Sequence, residues 1–150
     1  MNDRFFVDTN ILVYAYDRSE PSKQEKAIHV LDWLAKTGRG VISVQVLSEF
    51  FVSITRKLTS PLDIDEGLER VDDYIRSWKV VDLTSYIVLE AIRGVRDHGF
   101  SFWDAQIWAT ARLNQIPVIL SEDFNPSSVI DGVLFLNPFD ENFNAERWFE

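Results

Sequence analysis

The sequence predicts an α/β fold in which helices cover both faces of a parallel β-sheet. Short apolar runs, each as long as a buried strand, alternate with longer segments whose apolar residues recur at helical spacing. Strands that are apolar along their whole length are typical of parallel sheets, because helices shield both faces of such sheets from water. The sequence shows no repeat, low-complexity tract or linker, so we expect residues 1–150 to form one domain.

Each predicted strand is an apolar run that stops at polar or turn-forming residues. The first run, 5–7, stops at Asp8, and Thr9 and Asn10 behind it suit the start of a helix. The fourth run stops in the same way at Ser121. The predicted strands are 5–7, 41–44, 80–83, 117–120 and 133–136.

The predicted helices are delimited by capping and breaking residues. Pro21 suits the first turn of a helix that Gly38 and Gly40 end. Acidic residues from Asp63 onward open a later helix and Arg76 lies in its last turn, a polarity that complements the helix dipole. The predicted helices are 11–16, 21–37, 45–58, 63–78, 85–98 and 103–114, and we expect the aromatic-rich tail after residue 138 to pack against the body.

The composition argues against several classes of protein. Cysteine is absent, so disulfides and thiolate metal sites are excluded. The net charge of −9, from 24 acidic and 15 basic residues, argues against a protein that coats nucleic acid by charge alone. It is compatible with an enzyme that meets phosphates through a bound cation, or with a basic partner. The first apolar run is too short for a signal peptide or a membrane span, so we expect a cytoplasmic protein without membrane contact.

Four acidic residues lie where the predicted sheet would bring them to one edge. Asp8 ends the first strand and Asp123 follows the fourth, and the carboxyl ends of parallel strands share an edge. Glu49 lies one turn into the helix after the second strand, and Asp104 lies in the first turn of the helix before the fourth. The two helix acids lie beside apolar stripes, where an unpaired charge is costly. Each acid also has a purely structural explanation, as a helix cap or one half of an ion pair.

Clustered carboxylates repel one another and therefore need cations or protons. Two unit charges about 4 Å apart cost roughly 4 kcal/mol at an effective dielectric constant near 20. The two histidines, His29 and His98, are not at ligand spacing, so an oxygen-only site favours Mg²⁺ or Mn²⁺. Such an ion can generate a hydroxide-like nucleophile and hold a phosphate oxygen. The cluster therefore predicts phosphodiester hydrolysis.

Polar neighbours of the acids are candidates for a supporting role. Thr9, Asn10 and Ser121 carry neutral groups that could orient the carboxylates or a metal-bound water. Capping or turn formation explains Thr9 and Ser121 equally well, whereas Asn10 is the better candidate. Glu122 competes with Asp123 for the last acidic position, because a turn after a strand can direct either side chain towards the edge.

Four segments together resemble a known family. Residues 5–12, 48–50, 102–109 and 120–124 are similar to the four motifs of PIN-domain ribonucleases, most of all to VapC-like toxins of toxin–antitoxin pairs. The resemblance implies a three-layer α/β/α fold with strand order 3-2-1-4-5. It also implies Mg²⁺- or Mn²⁺-dependent endonucleolytic cleavage of RNA, often of a structured tRNA or rRNA.

The resemblance assigns roles to single positions. It implies that Asp8, Glu49, Asp104 and Asp123 are the catalytic acids, that Asp8, Asp104 and Asp123 bind the metal, and that Asn10 and Ser121 support them. The family pattern favours Asp123 over Glu122, although the Ser-Glu-Asp sequence departs from many relatives and keeps Glu122 as an alternative ligand.

The resemblance also implies partners. Relatives commonly form homodimers and are held inactive by an antitoxin whose tail covers the acids, and helices at about 21–37 and 45–78 are the expected binding surface for that antitoxin. Several basic residues near the acids could contact RNA phosphates or could be ordinary surface charges; they are Arg56, Lys57, Arg93, Arg96 and Arg112.

Two other functions remain open from the sequence. In the first, Asp8 is the covalent nucleophile of a phosphatase or phosphotransferase. Such sites generally have a second acid two residues later and a nearby lysine, whereas this chain has Asn10 there and lysines such as Lys79 in less suitable places. In the second, the chain is an inactive PIN-like binding domain whose acids serve as caps and ion pairs.

Overall fold

The computed structural model describes residues 3–149 and has a six-stranded sheet at its centre. Its strands are β1 (Phe5–Val7), β2 (Gly40–Ser43), β3 (Lys79–Val81), β4 (Val118–Leu120), β5 (Val129–Ile130) and β6 (Val133–Leu136). They are arranged in the order β3-β2-β1-β4-β6-β5, and every pairing is parallel except that of β5 with β6. The predicted α/β class is confirmed, and the five predicted strands stand in the predicted order.

The one difference in the sheet is β5, an edge strand that was not predicted. Asp131 and Gly132 connect it to β6 and both have positive φ angles, 49° and 84°. Asp-Gly is the dipeptide that two-residue hairpin turns prefer, because both central residues of such a turn need positive φ. The turn was therefore recognisable in the sequence, but two strand residues are too few to give an apolar pattern.

The described residues also form seven helices, of which the last follows the final strand. They are α1 (Thr9–Tyr14), α2 (Pro21–Thr37), α3 (Val44–Arg56), α4 (Ile64–Ser77), α5 (Ser85–His98), α6 (Phe102–Leu113) and α7 (Ala145–Trp148). Val44, predicted as the end of a strand, begins α3 because the Ser43 hydroxyl caps that helix by accepting a hydrogen bond from the Val46 N–H. None of these helices combines the length and apolarity needed to cross a bilayer.

The register of the central strands brings two distant polar residues together. Val7 of β1 pairs with Leu120 of β4, and the Asp8 N–H donates to the Leu120 carbonyl at 3.0 Å. The next residues, Asp8 and Ser121, therefore lie side by side at the carboxyl edge. All three residues of β1 are buried, so this edge rests on a rigid part of the core.

Helix α6 packs closely against α5, and this contact positions the first turn of α6 beside the same edge. Gly94 makes the approach possible, because a Cβ at that position would lie 2.8 Å from the Trp108 ring. The tail packs against the body, as expected. The Phe149 ring lies 4.7 Å from that of Trp33 and 5.6 Å from that of Phe5.

Candidate active site

Asp8 is the buried centre of the acidic edge. Its Oδ1 accepts from the Thr9 N–H at 2.7 Å, so the residue caps α1, and its Oδ2 accepts from the Ser121 hydroxyl at 2.6 Å. The pKa of Asp8 is raised to about 7, chiefly by burial; the hydrogen bonds from Ser121 and Thr9 oppose the rise, and the negative charges of Asp123 and Glu49 add to it. An anionic Asp8 is thus costly here unless positive charge comes near.

Asn10 joins the acids of β1 and β4. Its Nδ2 lies 3.0 Å from the Asp123 Oδ2, 3.3 Å from the Ser121 Oγ and 3.5 Å from the Asp8 Oδ2. Its Oδ1 accepts from the Glu122 N–H at 3.4 Å. The neutral amide of Asn10 therefore connects the carboxylates of Asp8 and Asp123, which are 115 positions apart in the sequence.

Glu49 reaches the site from α3 and is held on both sides. The Thr9 hydroxyl donates to its Oε2 at 3.0 Å, and the Gln45 amide donates to its Oε1 at 2.9 Å. The Gln106 amide of α6 donates in turn to the Gln45 Oε1 at 2.7 Å. Capping alone does not explain these contacts, because Glu49 lies in the interior of α3.

Asp104 lies in the first turn of α6, where Ser101 caps the helix by accepting from the Asp104 N–H at 3.3 Å. Its side chain is half-buried. Burial raises the pKa of Asp104 above its usual value, a hydrogen bond with Ser101 opposes the rise, and the charges of Asp123 and Glu49 add to it. The carboxyl of Asp104 is therefore within electrostatic reach of Asp123 and Glu49.

Glu122 turns away from the other acids. Its Oε1 accepts from the Tyr14 hydroxyl at 2.6 Å, and its Oε2 pairs with the Lys23 ammonium at 3.0 Å. Asp123, the next residue, instead contacts Asn10 and is exposed. The two side chains of this turn thus have different partners. Glu122 contacts Tyr14 of α1 and Lys23 of α2, whereas Asp123 lies at the acidic edge.

The donor set suits a hard divalent cation. It consists of carboxylate oxygens with hydroxyl and amide neighbours, the ligands that Mg²⁺ and Mn²⁺ prefer, and Asp8 is a buried carboxyl whose charge a cation would offset. Within residues 3–149, no three acidic or histidine side chains are close enough to form a finished metal site. Asp123 is exposed and Asp104 half-buried, so both can change rotamer without repacking the core.

Two surface features flank the acids. On one side lies an open groove, here called the Trp103 groove, whose lining includes Val44, Gln45, Glu49, Leu83 and Trp103. The Trp103 side chain is 63% exposed, which is unusual for the largest apolar residue. On the other side, Lys57 lines a second pocket together with Asn10 and Asp123.

Three of the basic residues considered for RNA contact are engaged elsewhere. Arg93 and Arg112 both pair with the buried Glu90, and Arg96 pairs with Asp97. Of these pairs, only that of Arg112 with Glu90 joins α6 to α5. Lys57 is placed differently, because it lines the pocket that contains Asn10 and Asp123.

The fold and the acid-rich edge define the class of protein. The sequence matches the PIN domain family over residues 5–130, and the chain belongs to that family. The resemblance seen in the four motifs is thereby confirmed. A search of curated proteins gave no match.

Several solved structures share the fold. A toxin–antitoxin complex from Klebsiella pneumoniae is 19% identical, with a TM-score of 0.66 over 91% of this chain and 98% of that one. VapC20 from Mycobacterium tuberculosis, described as a sarcin–ricin loop cleaving toxin, is 19% identical, with a TM-score of 0.64 over 85% and 97%. VapBC2 from Rickettsia felis, bound to a promoter DNA fragment, is 17% identical, with a TM-score of 0.63 over 89% and 97%.

Some residues at the site were not predicted from the sequence. Gln106 lies among the buried apolar residues of α6, and a polar side chain in such a stripe is the signal that could have identified it. Gln45 lies one helical turn before Glu49, so the two side chains share a face of α3. Trp103 directly precedes Asp104, and its exposed position beside the acids was not predicted from the sequence.

Proposed function

We propose that this protein is a Mg²⁺- or Mn²⁺-dependent endoribonuclease that acts in the cytoplasm as the toxin of a toxin–antitoxin pair. The observation that carries the proposal is the position of Asp8. It is a buried carboxyl at the end of a central strand, and hydroxyl and amide donors connect it to Asp123. The charge of Glu49 acts on Asp8, and Asp104 lies within electrostatic reach of Asp123 and Glu49. We further propose that residues 1–150 form a single domain.

Membership of the PIN family and likeness to VapC toxins support this choice among enzymes that cleave phosphodiesters. We assign catalysis to Asp8, Glu49, Asp104 and Asp123, and metal binding to Asp8, Asp104 and Asp123. Asp123 is preferred to Glu122 because the Glu122 carboxylate is already bound by Tyr14 and Lys23.

The residues of the chain divide the work of hydrolysis. When bound, the divalent ion supplies Lewis acidity to a water molecule and to a phosphate oxygen. Asn10 and Ser121 hold the carboxylates of Asp8 and Asp123 in fixed relative positions. Glu49, held by Thr9, is placed to accept a proton from the attacking water.

We propose that RNA, from the tRNA or rRNA class, is held by contacts on both sides of the acids. The exposed Trp103 ring offers a face on which an unpaired base can stack, the usual way in which proteins bind unstructured RNA. Lys57, on the opposite side, is placed to neutralise a phosphate next to the cleaved bond. Together these contacts would counter the repulsion between RNA and a chain of net charge −9.

We propose that the antitoxin binds the apolar groove between α3 and α4. Leu47, Phe51, Leu68, Val71 and Ile75 are among its lining residues. Leu68 and Ile75 are more than half exposed, so the groove offers apolar surface to a partner helix. It lies within the range 45–78 expected from the resemblance, and the acidic chain suits a partner with a basic tail.

We propose that two copies of the chain associate through α5. Tyr86, Leu89 and Ile92 follow one another at three-residue spacing on this helix, and all are at least half exposed. They lie opposite the buried side of the helix, which includes Ile87 and Ala91. Sedimentation of the wild type and of Ile92→Glu would show a dimer for the first and a monomer for the second if this assignment holds.

The nuclease proposal is tested with Asp8→Asn. Purified wild type is expected to cleave RNA in the presence of Mg²⁺ or Mn²⁺ and to stop when EDTA is added, whereas Asp8→Asn is expected to be inactive and folded by circular dichroism. Asp82→Asn is the matched control, since Asp82 is an exposed acid just after β3 at the same edge of the sheet. Cleavage by Asp8→Asn at the wild-type rate would refute the proposal.

A further inference from the structure

We infer that Gln106 and Gln45 form a hydrogen-bonded relay that fixes the Glu49 carboxylate, and that both glutamines are positioning residues of the active site. The relay itself is independent of what the protein does, whereas its effect on cleavage rests on the proposed nuclease function. Neither glutamine is one of the four acids or of their predicted supporting residues.

The relay connects two helices that are far apart in sequence. The Gln106 Nε2 on α6 donates to the Gln45 Oε1 on α3 at 2.7 Å, across 61 positions of the chain. The Gln45 Nε2 then donates to the Glu49 Oε1 at 2.9 Å, across one turn of α3. The relay starts from a rigid point, because Gln106 is only 3% exposed within a helix whose neighbouring residues are buried.

The direction of the hydrogen bonds follows from the chemistry of the groups. The Glu49 carboxylate and the Trp103 carbonyl can only accept, and the Gln45 Nε2 lies 2.9 Å from the first and 3.3 Å from the second. The amino group of Gln45 must therefore face these two acceptors, and its Oε1 must face Gln106. The Gln106 amide then has to present its own amino group to that oxygen, so these contacts fix the orientation of both amides.

Glu49 is thereby held by neutral donors only. The relay reaches its Oε1, and the Thr9 hydroxyl reaches its Oε2 at 3.0 Å. A carboxylate can accept about four hydrogen bonds, so lone pairs remain on both oxygens for water or a cation. A lysine or arginine in place of Gln45 would also hold Glu49 but would bring a positive charge to the acidic edge, whereas the glutamine is neutral.

The relay also couples the segments that carry the acids. Gln106 lies two residues after Asp104 on α6, and Thr9 follows Asp8 directly. A shift of α6 relative to α3 therefore changes the position of Glu49 relative to Asp8. Neutral neighbours that orient catalytic carboxylates typically contribute about 10- to 100-fold to activity or metal affinity.

The first experiment is a double-variant cycle on cleavage of a fluorogenic RNA at saturating Mn²⁺. Gln45→Met is expected to lower kcat by about 10-fold or more with little change in KM. Gln106→Met is expected to lower kcat in the wild-type background and to have no further effect in the Gln45→Met background, because the relay is already broken there. The control is Gln24→Met, since Gln24 is a half-buried glutamine whose amide donates to the Ala15 carbonyl at 3.1 Å.

The second experiment detects the relay without any activity. In ¹⁵N spectra, Glu49→Gln is expected to shift the side-chain amide of Gln106, two steps along the relay, and Gln45→Met is expected to abolish that response. The relay is overturned if Gln106 does not respond to Glu49→Gln, or responds equally without Gln45. Additive losses of kcat, or an equal loss in Gln24→Met, overturn the positioning role. A wild type that cleaves no RNA while the Gln106 response persists refutes the nuclease proposal and leaves the relay standing.

Discussion

Replacing Asp8 by asparagine is expected to remove a strong pH dependence from the stability of the metal-free protein. Burial raises the pKa of Asp8 from 3.8 to about 7 in the folded chain, whereas the unfolded chain keeps the ordinary value. The folded state therefore holds the proton more tightly than the unfolded state. The stabilisation of the folded state by this proton is complete below pH 3.8 and is lost as the pH rises through 7.

The size of the effect follows from the shift. One pKa unit corresponds to about 1.4 kcal/mol, so a shift from 3.8 to about 7 amounts to about 4 kcal/mol in the free energy of unfolding. About 3 kcal/mol of this falls between pH 5 and pH 8. Asp8→Asn has no proton to lose, so its stability relative to the wild type is expected to rise by that amount over the same range.

Urea denaturation in EDTA at pH 5 and pH 8 measures this change. Wild type, Asp8→Asn and the exposed control Asp82→Asn are compared at both values, which cancels the contributions of the remaining carboxyls. Saturating Mn²⁺ at pH 8 is expected to restore stability to the wild type and not to Asp8→Asn, because a bound cation favours the folded state. A difference between wild type and Asp8→Asn that is the same at both pH values would refute the reasoning about burial.

Three further predictions concern the site and its support. Trp103→Ala is expected to weaken RNA binding by about 1–3 kcal/mol. Trp103→Phe is expected to weaken it much less, because a base can still stack on phenylalanine. Filter binding in the Asp8→Asn background measures the affinity without cleavage. Asp123→Asn is expected to weaken Mn²⁺ binding about 10-fold or more in calorimetry, whereas Glu122→Gln is expected to leave the affinity unchanged. The reverse result would make Glu122 the ligand. Gly94→Val is expected to lower the free energy of unfolding by about 1–3 kcal/mol, because even its Cβ would lie 2.8 Å from the Trp108 ring. An unchanged midpoint of urea denaturation would contradict the close packing of α5 on α6.

The fold was largely predictable because the signals that define its strands and helices lie within short segments of the sequence. Apolar runs such as 5–7 are buried in every residue, and caps such as Ser43 and Asp63 set where helices begin. Boundaries moved by a few residues where a capping side chain competed with strand propensity, as at Val44. The hairpin strand β5 was not predicted because two residues are too few to show a hydrophobic pattern, although the Asp-Gly dipeptide of its turn is recognisable in the sequence.

The amino-acid sequence by itself determined that acids follow the first and fourth strands, and that helices bring two more towards the same edge. Only the tertiary structure decided which side chain of the last turn faces that edge, because Asn10 binds Asp123 while Lys23 binds Glu122, and both partners lie about 100 positions away. The relay from Gln106 to Glu49 likewise depends on the position of α6 relative to α3. Such contacts depend on side-chain directions across helix and strand boundaries, which the spacing of residues along one chain does not encode.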